Sequence, residues 1–153
     1  MVAMHMGNAH MGHVTEAEFI KGCEACGVDS IDKWRGHLPT LRKQLGDKDM
    51  QKKMYTFTYA YAEQWEGVKK NVIVEDACGL WPVLLKNKCN FLDKWCAFIT
   101  KKNTDGKLNI VTKDLWNMLY EFIESCDGKL EAAEDDGCWP VLLEEFCVEQ
   151  KVW

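Results

Sequence analysis

Gly137-Cys138-Trp139-Pro140-Val141-Leu142-Leu143-Glu144-Glu145-Phe146 is the second copy of a stretch that occurs 58 positions earlier as Gly79-Leu80-Trp81-Pro82-Val83-Leu84-Leu85. The same offset relates Cys89 to Cys147 and Trp95 to Trp153. An identical Trp-Pro-Val-Leu-Leu run with a Gly two places before each copy is a repeat, and it predicts a duplicated helical unit whose copies bury their apolar faces together. Two similar core helices account for the apolar letters. They do not account for the acids around the second copy, Glu134, Asp135 and Asp136 before it and Glu144 and Glu145 inside it.

Working outward, the chain reads as a string of helices. Thr15-Glu16-Ala17-Glu18 is a capping box, in which the Thr hydroxyl and the Glu18 carboxylate satisfy backbone donors reciprocally. Its helix carries Phe19, Ile20 and Cys23 on one face and stops at Gly27. Ser30 caps a second helix with Ile31, Trp34 and Leu38 at helical spacing, and Pro39 begins or kinks a following turn that ends near Gly46. Asp47 or Asp49 starts a third helix through Met54, Phe57, Tyr61 and Trp65. Trp65 to Asn71 breaks the periodicity and reads as a connection between two lobes, about 14–66 and 72–150. Val72-Ile73-Val74 reads as the approach to a helix through Leu85. Further helices are expected over Phe91–Lys101 (Phe91, Leu92, Trp95, Phe98 and Ile99 inward) and over Lys113–Glu124, capped by Thr112 (Leu115, Trp116, Leu119, Phe122 and Ile123 inward). The last runs from about Asp135 to Gln150. Nothing alternates with period two, so the fold class is all-α.

A chain of 153 residues, 47% apolar and 28% charged, fits one globular domain with a sizeable core. Seven Trp exceed what such a core needs, which places some of them at a binding surface. No apolar run approaches the roughly 20 residues of a membrane span. The start, Met1 to Gly7, has neither a basic nor an apolar leader region and reads as a ragged beginning. Eight Cys without a secretion signal point to reduced thiols, and so to cytoplasm or nucleus. Cys78, Cys89, Cys96, Cys126, Cys138 and Cys147 fall at or near apolar helical positions, where Cys acts as a small hydrophobe. The net charge of −5 is uneven. Residues 121–153 hold ten acids against Lys129 and Lys151, a balance of −8, while the other 120 residues carry 14 acids and 17 bases. An acidic C-terminal face repels nucleic acid and attracts basic protein surfaces.

Two loops resemble EF-hands in shape and fail in chemistry. With Gly106 at position 6, Asn103 and Asp105 fit ligand positions 3 and 5, but Lys101 and Thr112 occupy positions 1 and 12. Around Glu18 the earlier ligand positions are Gly7, Ala9 and Met11, which offer no carboxylate. His10 and His13 with Cys23 and Cys26 have the ligand types of a zinc site. The two Cys lie on a capped helix, however, and Cys23 belongs to its apolar face, so no metal or other cofactor is expected. No phosphate loop, nucleophile elbow or paired Cys and His appears. The residues point to a binding module rather than an enzyme.

The run Leu80 to Leu85, Phe91-Leu92-Asp93-Lys94-Trp95, Thr112-Lys113-Asp114-Leu115-Trp116-Asn117-Met118-Leu119 and Asp135 to Phe146 resembles the potentiating-neddylation (PONY) domain of the defective-in-cullin-neddylation family. Glu18-Phe19-x-x-Gly22, Asp29-Ser30-Ile31 and Phe57-Thr58-Tyr59-Ala60-Tyr61-Ala62 agree too, so the match covers about residues 14–150 in unbroken order. The resemblance implies a single domain over 1–153 built of tandem EF-hand-like helical units without functional calcium loops. It also implies a scaffold-type E3 component for the ubiquitin-like modifier of neddylation, with no catalytic residues of its own. Its partners would be the C-terminal winged-helix domain of a cullin and the acetylated N-terminus of the neddylation E2, with neither nucleic acid nor membrane. The rate gain would come from positioning the E2 thioester near the acceptor lysine.

Carried over by position, the family's Asp-Ala-Asp cullin patch falls on Asp114, Cys138 and Glu144. The first acid is kept, the small residue before Trp-Pro is Cys, and the last acid is one methylene longer, which bears on partner preference. The E2 pocket falls on Met11, Val14, Tyr61, Leu80 and Val83, all apolar or aromatic and suited to a Met side chain. The family domain normally begins some tens of residues earlier, and those first helices supply one pocket wall, so this chain starts inside that region. The alternative is a degenerate EF-hand-like interaction module with another basic or amphipathic partner.

Overall fold

Side-chain caps set half of the helix starts. In the computed structural model, residues 1–9, 11–63, 71–135 and 137–153 are described, and they form helices α1 (Val2–Met6), α2 (Glu16–Cys26), α3 (Ile31–Gln44), α4 (Lys48–Glu63), α5 (Val74–Leu85), α6 (Leu92–Thr104), α7 (Lys113–Ser125) and α8 (Val141–Glu149). Thr15 accepts from the Glu18 amide and Glu18 answers the Thr15 amide at 2.8 Å, which completes the capping box. Ser30 and Thr112 accept from Lys33 and Leu115 in the same way, and Asp47 accepts from Met50. Gly27 closes α2 in the left-handed conformation that the stop there requires. The all-α expectation is met. The exception is a pair of two-residue strands, β1 (Val72–Ile73) and β2 (Ile110–Val111), antiparallel with Val72 opposite Val111. Val72 and Ile73 are therefore strand rather than helix approach, and α5 begins only at Val74.

The chain forms two compact units, residues 1–70 and 71–153. In the first, Met6, Val28, Trp34 and Leu41 make the core, with Met1, Val2, Cys23 and Cys26 packed on it. The start that reads as ragged is thus a short helix, held by packing rather than by propensity. Met6 lies so close to α2 that a Cβ on Gly22 would meet its Cγ at 2.3 Å. Pro39 does not end α3, which continues through it to Gln44. The outward faces also differ from expectation. Ile31 is 66% exposed, and α4 buries Tyr55, Tyr59 and Ala62, one step round from the Met54, Phe57, Tyr61 stripe. Trp65 and the connecting stretch through Lys70 lie outside the described residues.

The second unit is an aromatic cluster wrapped by helices. Trp81 of α5 stacks on Trp116 of α7 at 5.5 Å and meets Trp95 of α6 edge-on. Phe146 of α8 closes on Trp95, Phe98 and Phe91, all within 6.0 Å. Burying rings of this size is the main stabilising term in such a core. Every inward residue expected for α6 and α7 is buried. A second internal contact is polar: the half-buried Lys88 ammonium bonds Glu124 at 2.6 Å and the Tyr120 hydroxyl at 3.1 Å, and it lies over the Tyr120 ring. Burial works to lower the Lys88 ammonium, but the bonds to Glu124 and Tyr120 outweigh it and leave the group raised.

The two copies of Trp-Pro-Val-Leu-Leu are not duplicates in structure. In the first, Trp81 and Pro82 lie inside α5 near its C-terminal end. In the second, Pro140 is the N-cap of α8, so Trp139 precedes the helix. The last helix accordingly starts at Val141 and not near Asp135. Gly137 at φ 73° and the extended Pro140 keep the chain non-helical there. What the copies share is burial downstream of the proline. Val83 and Val141 are exposed, while Leu85 and Leu143 are buried.

Candidate functional site

Asp114 is the second residue of α7, in the first turn after the Thr112 cap, and its side chain is exposed. The helix puts it there because Leu115 and Trp116 must face the core, Trp116 against Trp81. An acid in the first turn also suits the positive end of the helix.

Cys138 follows Gly137 in the loop before α8 and is exposed, not at a buried helical position as its neighbours' apolar pattern implies. The anchor of this loop is the next residue. The Trp139 ring stands edge-on to Phe122 of α7 at 5.1 Å, and its indole N–H donates to the Glu134 carbonyl at 3.2 Å. Asp114 and Phe122 lie eight residues apart on α7, about 12 Å of helix rise. One rigid helix therefore fixes both Asp114 and the loop that presents Cys138.

Glu144 occupies the first turn of α8, half-buried, between the fully buried Leu143 and, two residues on, Phe146. Its neighbours on α8 are held by α6. Glu145 ion-pairs with Lys102, and Glu149 pairs with Lys101 at 3.4 Å. Among the described residues neither Asp114 nor Glu144 has an ion-pair partner. Of the three carboxylates on α8, Glu145 and Glu149 are paired with lysines of α6 and Glu144 is not. No composition signal marks Lys101 and Lys102 for this task, since their partners lie 48 and 43 residues away. Asp136, part of the acidic run, lies outside the described residues.

The five apolar positions matched to the E2 pocket divide between the units. In the first, Met11 is half-buried in the turn after α1, and Val14 is exposed just before Thr15. Tyr61, in the last turn of α4, is half-buried and stacks on Phe57 at 5.3 Å. In the second, Leu80 is half-buried and Val83 is 81% exposed on α5. Val83 is thus surface rather than core. Among the described residues no group of three or more His, Cys, Asp or Glu side chains could hold a metal ion, and His10 lies outside them.

The sequence model of the family described as "Cullin binding" matches residues 33–149. Defective in cullin neddylation protein 1 of Yarrowia lipolytica is 36% identical over 149 residues, which cover 95% of this chain and 59% of that protein. DCN1-like protein 3 of Homo sapiens is 31% identical over 147 residues, 95% of this chain and 48% of that protein. DCN1-like protein 3 of Xenopus tropicalis is 31% identical over 139 residues, 90% and 45% respectively. The chain thus spans about half the length of the curated relatives it matches. On the extent of the family match and the identity to these relatives, the chain belongs to the cullin-binding, potentiating-neddylation family of the defective-in-cullin-neddylation proteins.

Proposed function

We propose that this protein promotes cullin neddylation as a non-catalytic scaffold, holding the C-terminal winged-helix domain of a cullin through Asp114, Cys138 and Glu144. The observation that supports this most is electrostatic: both patch acids lack an ion-pair partner among the described residues, although lysines of the same unit pair the adjacent Glu145 and Glu149. An unpaired carboxylate on a rigid helix is ready for charge-assisted bonds to Lys or Arg, which steer encounter and fix orientation. Cys138 lies exposed just before the Trp139 anchor and offers a small apolar contact. Membership in the cullin-binding family supplies the class of partner.

The second arm of the scaffold is the neddylation E2, whose acetylated N-terminal Met the family resemblance matches to apolar side chains, Met11, Val14 and Tyr61 in the first unit and Leu80 and Val83 in the second. The exposed Val83 and the half-buried Tyr61 and Leu80 are apolar surface of the type such a side chain buries. Holding both partners at once raises the effective concentration of the thioester at the acceptor lysine, with no proton transfer asked of the scaffold. The protein would work in the cytoplasm, the nucleus or both. Reconstituted cullin neddylation with and without the chain tests this reading. Acceleration that disappears in Asp114→Ala plus Glu144→Ala supports it, and equal rates with and without wild-type chain oppose it. Peptide titration with acetylated and free N-termini tests the E2 arm, and equal affinity for both would remove it.

A further inference from the structure

Cys78 on α5 and Cys96 on α6 lie against each other in the second unit. The Cys78 thiol donates to the Cys96 carbonyl oxygen at 3.9 Å, and its Sγ lies 3.7 Å from the Thr100 hydroxyl. Both residues are half-buried, so small oxidants reach them while the helices hold the pair in place. We propose that Cys78 and Cys96 form a redox-sensitive clasp, in which a hydroperoxide oxidises the pair to a reversible disulfide that joins α5 to α6.

The surroundings select this pair among eight cysteines. The hydrogen bond from Cys96, and a second from Thr100, stabilise the Cys78 thiolate against the opposing effects of burial and of Glu75, and bring the group down to about 7. Cys89 and Cys147 move the other way, to about 11, chiefly through burial, and remain thiols at neutral pH. Cys96 is raised, first by its bond to the Cys78 thiolate, then by burial and by the charges of Cys78, Asp93 and Cys89. The nucleophile is therefore Cys78 and the resolving thiol is Cys96.

The Cys78 thiolate attacks the outer oxygen of the hydroperoxide. The O–O bond breaks, the alkoxide or hydroxide takes a proton, and Cys78 becomes a sulfenic acid. That step also removes the negative charge that held up Cys96. The Cys96 sulfur then attacks the Cys78 sulfur, the S–O bond breaks, and the hydroxyl leaves as water with the Cys96 proton. Two thiols have lost two electrons to one hydroperoxide, and a dithiol reductant reverses the change.

The test uses the whole reduced chain, treated with hydrogen peroxide at neutral pH, blocked with N-ethylmaleimide and mapped without reduction by mass spectrometry. The expected product joins the Cys78 and Cys96 peptides, with loss of two hydrogens and recovery in dithiothreitol. In Cys96→Ser, dimedone should trap a sulfenic acid at Cys78. A second readout needs no variant: iodoacetamide labelling of Cys78 in the wild-type chain should reach half its maximal rate near pH 7. Oxidation at the exposed Cys138 with Cys78 and Cys96 both left as thiols would overturn the proposal. So would a Cys78 labelling rate that rises only in the range of an ordinary thiol.

Discussion

The Lys102 ammonium, four-fifths buried beside the Phe98 ring, ion-pairs with Glu145 and leaves its sequence neighbour Glu144 without a partner among the described residues. The pair sorts the acids of α8 into structural and available ones. Lys102→Gln should cost little stability, about 0.5 kcal/mol, because Glu145 is nearly half exposed and solvent screens the pair. It should also quicken association with a basic partner at low salt, since a second carboxylate is uncovered beside Glu144. Stopped-flow association at two ionic strengths, with thermal melting as the control, reads both effects.

Lys88 and Glu124 make a more enclosed pair, and cutting it should cost more. Lys88→Met leaves the Glu124 carboxylate and the Tyr120 hydroxyl short of a donor in a half-buried setting, a loss of about 1–3 kcal/mol in denaturant titration. The pH dependence follows from the raised lysine. Its contribution is complete below the ordinary value of 10.5 and is lost as pH climbs through the higher folded value. Wild type and Lys88→Met should therefore converge in stability only at strongly alkaline pH.

Two glycines mark places where backbone or core approaches too closely for a side chain. A Cβ on Gly128 would come within 1.9 Å of the Lys88 carbonyl oxygen, and the residue has φ 70°. Gly128→Ala should lower stability by at least about 2 kcal/mol, since both the contact and the backbone conformation oppose it. Gly22→Ala should cost about 1–3 kcal/mol, because Met6 has to leave its seat on α2. If Gly22→Ala melted with wild type, α1 would not be held by that contact.

These costs show which parts of the fold a sequence discloses. α6 and α7 are legible because a strong 3.6-residue period and a Thr112 cap agree, and every inward residue named from that period is buried. α4 is read one step out of phase, since Tyr55 and Tyr59 compete with Met54, Phe57 and Tyr61 for the core and no local rule ranks the two faces. α1 is too short to announce itself and exists through Met6 against Gly22. The repeat misleads for a related reason. Proline fits inside α5 in one copy and before α8 in the other, and the flanking Gly137 with its left-handed backbone decides the second case. At the candidate site, Asp114 and Glu144 are legible through their motifs. The lysines that leave Glu144 unpaired are not, because ion pairs spanning more than 40 residues have no sequence period.

The central claim is that Asp114 and Glu144 hold a cullin. Titration calorimetry of the wild-type chain and of Asp114→Ala plus Glu144→Ala against a cullin C-terminal domain tests it most directly, with matched melting curves to show that both fold. The account predicts that the double variant binds at least about tenfold more weakly, a loss of about 1.4 kcal/mol or more, and that its affinity depends less on salt. Equal dissociation constants for the two proteins, with equal salt dependence, would contradict it.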